Sequence, residues 1–407
     1  MSRTDTRDSR PTGPDSGPHG LESAEERNFR AEARAWLEAH ARPRLPDEGN
    51  LERYRFLGDA SPEADAEHVR RCKEWQRTLY DGGWAGVAWP KEHGGRGGTP
   101  GQARIFAQEE ARFDAPTGVF AVGIGMVGPT LIAHGTEAQK DRYLPALLRG
   151  DDVWCQLFSE PGAGSDLASL RTKAERTDGG WLLTGQKVWT SVAERADWGI
   201  CLARTDPEAK PHTGITYFLV DMKSAGIDIR PLRELTGDAL FNEVFLDGVF
   251  VPDDCVVGEV NGGWRLARTT LANERVAMAG SKLGDSVELA ITLVSDVRRP
   301  SAPELVGRAI ALAQVVKLLG TRSTLRSIAG QGPGAESSVA KLVGVRSRQD
   351  SAELAMELLG DEIFTASDRA VHAADLFLRN RCLSIAGGTT QVLRNVAGER
   401  ILGLPRG

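Results

Sequence analysis

Only five cysteines occur in the 407 residues, Cys72, Cys155, Cys201, Cys255 and Cys382, and none forms a CxxC pair. That scatter excludes a disulfide framework and a zinc-ribbon type of metal site, and it fits reduced thiols in a cytoplasmic protein with no bound metal. No apolar run approaches the roughly 20 residues that span a bilayer, so no membrane span is expected. Neither sign of charge dominates: 50 basic residues face 56 acidic ones, a formal net charge of -6. That balance argues against nucleic acid as a partner. Residues 1–20 hold almost no large apolar side chain and read as a disordered tail. They lack the apolar stretch of a secretory signal, and Asp5, Asp8 and Asp15 argue against an organelle transit peptide. No internal repeat is visible.

What remains is an ordinary globular mixture, 41% hydrophobic and 26% charged. Its length exceeds what one hydrophobic core usually supports. From 21 to 150 the pattern is helical. Phe29, Ala33, Trp36 and Leu37 recur at helical spacing, Ser23 and Glu26 suit a capping box, and Pro43 and Pro46 close that helix. Between 151 and 262 the period changes. Runs at 153–158, 181–189, 198–204, 215–222 and 243–251 are rich in β-branched and aromatic residues and are separated by turns such as Asp178-Gly179-Gly180 and Asp247-Gly248. From 263 to 407 the helical period returns, broken near Arg299-Pro300 and at 330–334. Helices, then strands, then helices predict an α+β multidomain fold with a middle antiparallel β domain, and they argue against a Rossmann-type parallel sheet.

Three constellations can carry chemistry. The first runs Leu157-Phe158-Ser159-Glu160-Pro161-Gly162-Ala163-Gly164-Ser165-Asp166, with Gly185-Gln186-Lys187-Val188-Trp189-Thr190-Ser191 further along the β segment. Its hydroxyls and exposed backbone N–H groups suit a pyrophosphate or the polar edge of a flavin ring, and Trp189 can cover such a ring. Equally, Pro-Gly and Gly-x-Gly are common turns, and a lone Trp189 could be a sheet-core aromatic. The second is the helix after Gly263, where Trp264, Ala267, Leu271, Glu274 and Met278 share one face. A carboxylate in an apolar stripe loses hydration, which raises its affinity for a proton and suits it to act as a base. Pairing of Glu274 with an arginine at the stripe edge is the plainer alternative. The third, Ile385 to Asn395, has Gly387-Gly388-Thr389-Thr390-Gln391, where either threonine could cap a helix whose free N–H groups receive an anion or carbonyl. A simple helix–helix turn would read the same.

The order and separation of these segments resemble the acyl-CoA dehydrogenase family from about residue 21 to 407, together with Trp89-Pro90-Lys91-Glu92-His93-Gly94-Gly95 and Ile401-Leu402-Gly403-Leu404-Pro405. The actinobacterial-type branch, with its steroid side-chain and biosynthetic members, is the most similar. The resemblance implies an N-terminal helical domain, a middle β domain and a C-terminal four-helix bundle, with FAD between the last two. It implies that Phe158 and Ser159 contact the flavin pyrimidine edge and that Gly164 and Ser165 face the FAD pyrophosphate. Trp189 would lie against the ring, Ser191 near N5, and Thr389 and Gln391 beside the bundle. Many members carry the catalytic Glu where this chain has Gly387. Isovaleryl-type members carry it on the bundle helix before an Arg, as in Glu274-Arg275 here. The implied reaction is α,β-dehydrogenation of a thioester of coenzyme A or acyl carrier protein. Glu274 would take the α proton, the β hydrogen would leave as hydride to flavin N5, and the Gly387 N–H would meet the developing negative charge on the thioester oxygen.

An electron-transferring flavoprotein is the implied acceptor, and a homodimer, homotetramer or heterotetramer the implied assembly. The chain departs from the family in lacking an Arg-x-x-Phe-Gly segment, where it has Asp296 to Pro303, and in the degraded stretch Glu357 to Asp361. Some heteromeric relatives divide FAD contacts and base between two subunit types. Two further readings therefore stand beside the dehydrogenase: a flavin monooxygenase or oxidase on the same fold, and a partner subunit of a heteromeric enzyme.

Overall fold

Ser23 and Glu26 form the expected capping box: the Ser23 hydroxyl accepts from Glu26 N at 3.1 Å, and the Glu26 carboxylate accepts from Ser23 N at 2.8 Å. They open α1 (Ala24–His40) in a computed structural model that describes residues 22–43, 62–116, 118–279, 284–297, 299–328 and 334–405. The expected tail at 1–20 lies outside the described residues. The same capping pair recurs as Thr99 with Gln102 and Thr136 with Gln139. These start α3 (Pro100–Glu110) and α5 (Glu137–Arg149), with α2 (Pro62–Asp81) and α4 (Gly128–His134) as the other N-terminal helices. The α1 stripe Phe29, Ala33 and Leu37 is buried against Trp75, Leu79, Trp84, Ile105 and Phe106.

The middle segment forms one eight-stranded sheet: β1 (Trp154–Leu157), β2 (Lys173–Thr177), β3 (Gly180–Ser191), β4 (Trp198–Arg204), β5 (Ile215–Asp221), β6 (Ile227–Leu232), β7 (Phe241–Pro252) and β8 (Val256–Val257). The order is β6-β7-β3-β2-β4-β5-β8, with β1 added beside β4. Pairing is antiparallel except that β1 and β2 run parallel to β4. All five strands read from the sequence are present. Strands β2, β6 and β8 went unread because β2 is polar and buries only Ala174, β6 is a short strand with no fully buried residue, and β8 is two residues long.

Helices α6 (Gly263–Ala279), α7 (Asp285–Leu293), α8 (Ala302–Ile328), α9 (Glu336–Leu359), α10 (Asp368–Arg379) and α11 (Thr390–Arg400) follow. Helix α9 is central and packs against each of the other five. One core joins Tyr143, Leu144 and Leu147 of α5, the sheet residues Ile200, Tyr217 and Phe218, and Leu266 and Ala267 of α6. A second lies within the bundle around Ala290, Leu293, Ala302, Leu354, Ala355 and Leu358. Among the described residues no helix is long and apolar enough to cross a membrane.

Candidate active site

The first constellation is a short loop stitched to β3. Glu160 and Ala163 exchange backbone hydrogen bonds of 3.1 and 3.0 Å across Pro161-Gly162, so the chain reverses tightly. Gly162, Gly164 and Ser165 are exposed, and a Cβ at either glycine would meet none of the described residues within 4 Å. Val188 N donates to Ser159 O at 2.9 Å, which brings the Ser159 loop beside Trp189. The Phe158 ring is buried, edge-on to Tyr217 at 5.9 Å, so only its main chain is left for a ligand.

Below this loop lies an ion pair that sequence reading missed. Lys187 is fully buried and donates to Glu160 Oε1 at 2.8 Å, Leu202 O at 2.8 Å and Phe158 O at 3.2 Å. Its three N–H groups are thereby all used. The Glu160 carboxylate also accepts from Arg171 N at 2.6 Å and Thr172 N at 2.9 Å. Burial alone would raise the Glu160 carboxyl; the Lys187 ammonium and these donors outweigh it and hold the group below the usual carboxylate value. Lys187 could have been found as a cation on the strand register that also buries Leu183.

Trp189 is not a core aromatic. It is 60% exposed. The β3–β7 register slips between Lys187↔Val244 and Thr190↔Asn242, leaving one extra residue on β3. At this bulge Trp189 has φ +59°, and its ring stands edge-on to Phe241 at 5.9 Å. A bulge re-aims a side chain, and a left-handed bulky residue costs roughly 1–3 kcal/mol. Ser191 follows, half-buried, at the end of the strand.

Glu274 is half-buried on α6, the helix that shares the sheet core. It has an interaction partner in the fold, so the ion-pair alternative stays open. Of its stripe, Ala267 is buried and Trp264 and Leu271 pack on the core, while the side chains of Arg275 and Met278 fall outside the described residues. Two features lock α6 to β5. At Gly263 a Cβ would stand 2.7 Å from the backbone of Thr216 and Tyr217, so only glycine allows this approach. One turn before Glu274, the buried Thr270 hydroxyl bonds Thr130 Oγ1 at 2.9 Å and the Tyr217 hydroxyl at 3.2 Å. Burial pushes the Tyr217 phenol far up, so it stays protonated.

In the third constellation Thr389, not Thr390, is the cap: its hydroxyl accepts from Val392 N at 3.2 Å and opens α11, with Gln391 exposed in the first turn. Gly387 and Gly388 have φ +63° and +101°. Lys341 of α9, also unforeseen, is buried and donates to Ala386 O and to Gly388 O, the latter at 2.5 Å. An ion pair between Arg379 and Asp238 ties the end of α10 to the loop leading to Phe241, beside Trp189. Helix α9 packs against both α6, which carries Glu274, and α11, which begins three residues after Gly387.

This arrangement matches a known pattern over most of the described chain. The descriptions "Acyl-CoA dehydrogenase, N-terminal domain", "middle domain" and "C-terminal domain" fit residues 23–151, 155–249 and 261–402. The chain belongs to the acyl-CoA dehydrogenase family. It is 56% identical over 333 residues, 81% of its length, to "Acyl-CoA dehydrogenase FadE34" of Mycobacterium tuberculosis, but spans only 46% of that relative. It is 39% identical over 93% of its length to "Acyl-CoA dehydrogenase IpdE1" of the same organism, covering 97% of it. Among solved structures, the "Tcur3481-Tcur3483 steroid ACAD" superposes with a TM-score of 0.80 at 31% identity, covering 95% of this chain and 99% of that one. The chain is thus an oxidoreductase of a flavoprotein family whose members typically bind FAD.

Proposed function

We propose that this chain dehydrogenates the Cα–Cβ bond of an acyl-CoA, with Glu274 as the base. The observation that carries the reading is the half-buried Glu274 on a helix locked by Gly263 and Thr270 to the sheet that presents Ser159 and Trp189. The residues present fit FAD: Trp189 is exposed and left-handed, and an added Cβ at Gly162 or Gly164 would meet none of the described residues within 4 Å. Ser159, Gly164, Ser165, Trp189 and Ser191 would hold it from the sheet, and Thr389 and Gln391 from α11, with Phe158 contributing main chain. When bound, FAD supplies a two-electron acceptor for the β hydride. Glu274 removes the α proton, and the Gly387 N–H steadies the negative charge that gathers on the thioester oxygen. The steroid substrate class named for the solved relative makes polycyclic acyl groups the first candidates. Electron-transferring flavoprotein is the acceptor that membership of the family implies.

Anaerobic titration with a panel of acyl-CoA thioesters, following flavin absorbance, tests this. Wild-type flavin should bleach with one acyl class. Glu274→Gln should keep flavin and bind substrate while reduction slows about 10²–10⁴-fold, the range for a lost general base. Full-rate reduction in that variant would remove Glu274 from the mechanism. Bleaching only by an acyl carrier protein thioester would move the substrate to a carrier. Rapid reoxidation by oxygen, with no thioester reacting, would favour the monooxygenase or oxidase reading.

A second reading is favoured by one segment. Asp296 to Pro303, where the family carries Arg-x-x-Phe-Gly, is tied back into its own bundle through Asp296–Arg369 at 2.6 Å and Arg299–Glu357 at 3.1 Å. The 56%-identical relative is more than twice as long as the matched part, and the steroid enzyme is named for two components. A non-identical partner subunit that completes the FAD site accounts for all three. Colourless protein when purified alone, gaining flavin only on mixing with such a partner, is the result that supports it.

A further inference from the structure

We infer that Lys341 is a positioning residue for the thioester oxygen, acting through the Ala386–Gly387 peptide. This rests on the thioester reading above and deepens it. The Lys341 ammonium is buried inside the bundle, 4% exposed, and is held by the carbonyls of Ala386 and Gly388 on either side of Gly387. The Ala386 carbonyl and the Gly387 N–H belong to one trans peptide, so they point in opposite directions. Capture of the carbonyl by α9 therefore turns the Gly387 N–H away from the bundle interior. Among the described residues that N–H donates to nothing, although both flanking carbonyls are taken. Left-handed φ at both Gly387 and Gly388 lets the loop present the carbonyls of Ala386 and Gly388, two residues apart, to one cation.

The chemical consequence is polarisation. A cation on the carbonyl end of a peptide draws electron density from its N–H, and hydrogen bonds in such a chain strengthen one another in a poorly hydrated site. The same charge lies one peptide away from the place where the thioester oxygen becomes negative, so it favours the enolate over the neutral ester. Lys341 needs no contact with substrate to do this. Glu274 takes the proton; Lys341 makes that proton easier to take.

The test uses the flavin-loaded enzyme and a 3-thia-acyl-CoA, whose α carbon can lose a proton but whose β sulfur has no hydride to give. Its enolate stacked on oxidised flavin absorbs at long wavelength, so a pH titration of that band reads enolate formation without turnover. Lys341→Met should keep flavin and bind the probe, with the band midpoint raised by about one to two pH units, roughly a ten- to hundredfold loss in the enolisation equilibrium. Lys341→Arg should recover part of the shift, because it keeps the charge. An unchanged midpoint in Lys341→Met, or equal weakening of flavin and probe binding with no shift, would reduce Lys341 to a structural strut and overturn the inference. Should the methionine variant fail to fold, Lys341→Gln decides: it keeps a donor without the charge, and an unshifted midpoint there overturns the inference equally. A wild type that binds flavin but forms no band with any acyl-CoA probe would bring down the thioester reading first, and this inference with it.

Discussion

Trp189 separates the two readings that its sequence position allowed. An aromatic inside a β run is usually a core residue, and replacing a buried Trp with Ala costs about 3–5 kcal/mol. Here the side chain is mostly exposed and the backbone left-handed. Trp189→Ala should therefore change the urea-unfolding free energy of the flavin-free protein by no more than about 1 kcal/mol. Flavin affinity, read by fluorescence titration, should fall at least about tenfold, because a ring-covering face is lost. A large stability loss with unchanged affinity would return Trp189 to the core. The motif was legible in the sequence; its exposure was not, because the bulge arises from the register of β7, some fifty residues away. Lys187 and Lys341 were illegible for a related reason. A lysine reads as surface until the carboxylate or carbonyls that neutralise it are known, and those come from Glu160 and from the loop at Ala386–Gly388.

At the scale of elements, the strong signals were the capped helices and the strands with two buried faces. The weak ones were β2 and β6, whose exposed faces dilute the pattern, and the centrality of α9, whose buried positions are largely small or polar: Ser338, Ala340, Ser347, Ser351 and Ala352. Small residues let five helices approach one, but they leave little hydrophobic signal along the chain. The docking of α6 on β5 depends on one such absence of side chain, at Gly263. A methyl group there must push the helix away from the Thr216 and Tyr217 backbone. Gly263→Ala should cost about 1–3 kcal/mol in unfolding experiments, the usual penalty for overpacking. It should also slow substrate-driven flavin reduction more than it weakens flavin binding, because Glu274 rides on the displaced helix while Ser159 and Trp189 do not. Equal loss of both would mean that α6 and the flavin face move as one unit.

For the molecule as a whole, acid is the informative stress, because buried carboxylates hold two of its parts. Glu160 anchors the loop at the sheet, and Glu109 sits among Arg30, Arg34 and Arg112 between the N-terminal helices. In both, burial pushes the carboxyl up and is outweighed, by Lys187 for Glu160 and by Arg34 and Arg30 for Glu109, so each folded value lies below about 4.5. A carboxylate whose folded value is depressed contributes stability that is fully present above its unfolded value. That contribution is lost as pH falls through the folded value. Unfolding free energy should thus show no loss from these two groups down to about pH 5 and fall steeply below about 4.5, where the unfolded chain takes up protons first. Because one core runs from α5 through the sheet into α6, loss of helical circular dichroism and loss of bound flavin should share a single acid midpoint. A Glu160→Gln, Lys187→Met double variant lacks one of the two titrating anchors, so its stability should fall less steeply over the same interval even if it starts lower. Flavin release well above the midpoint of helix loss would show that the Glu160 loop opens on its own, and that the three segments do not unfold together.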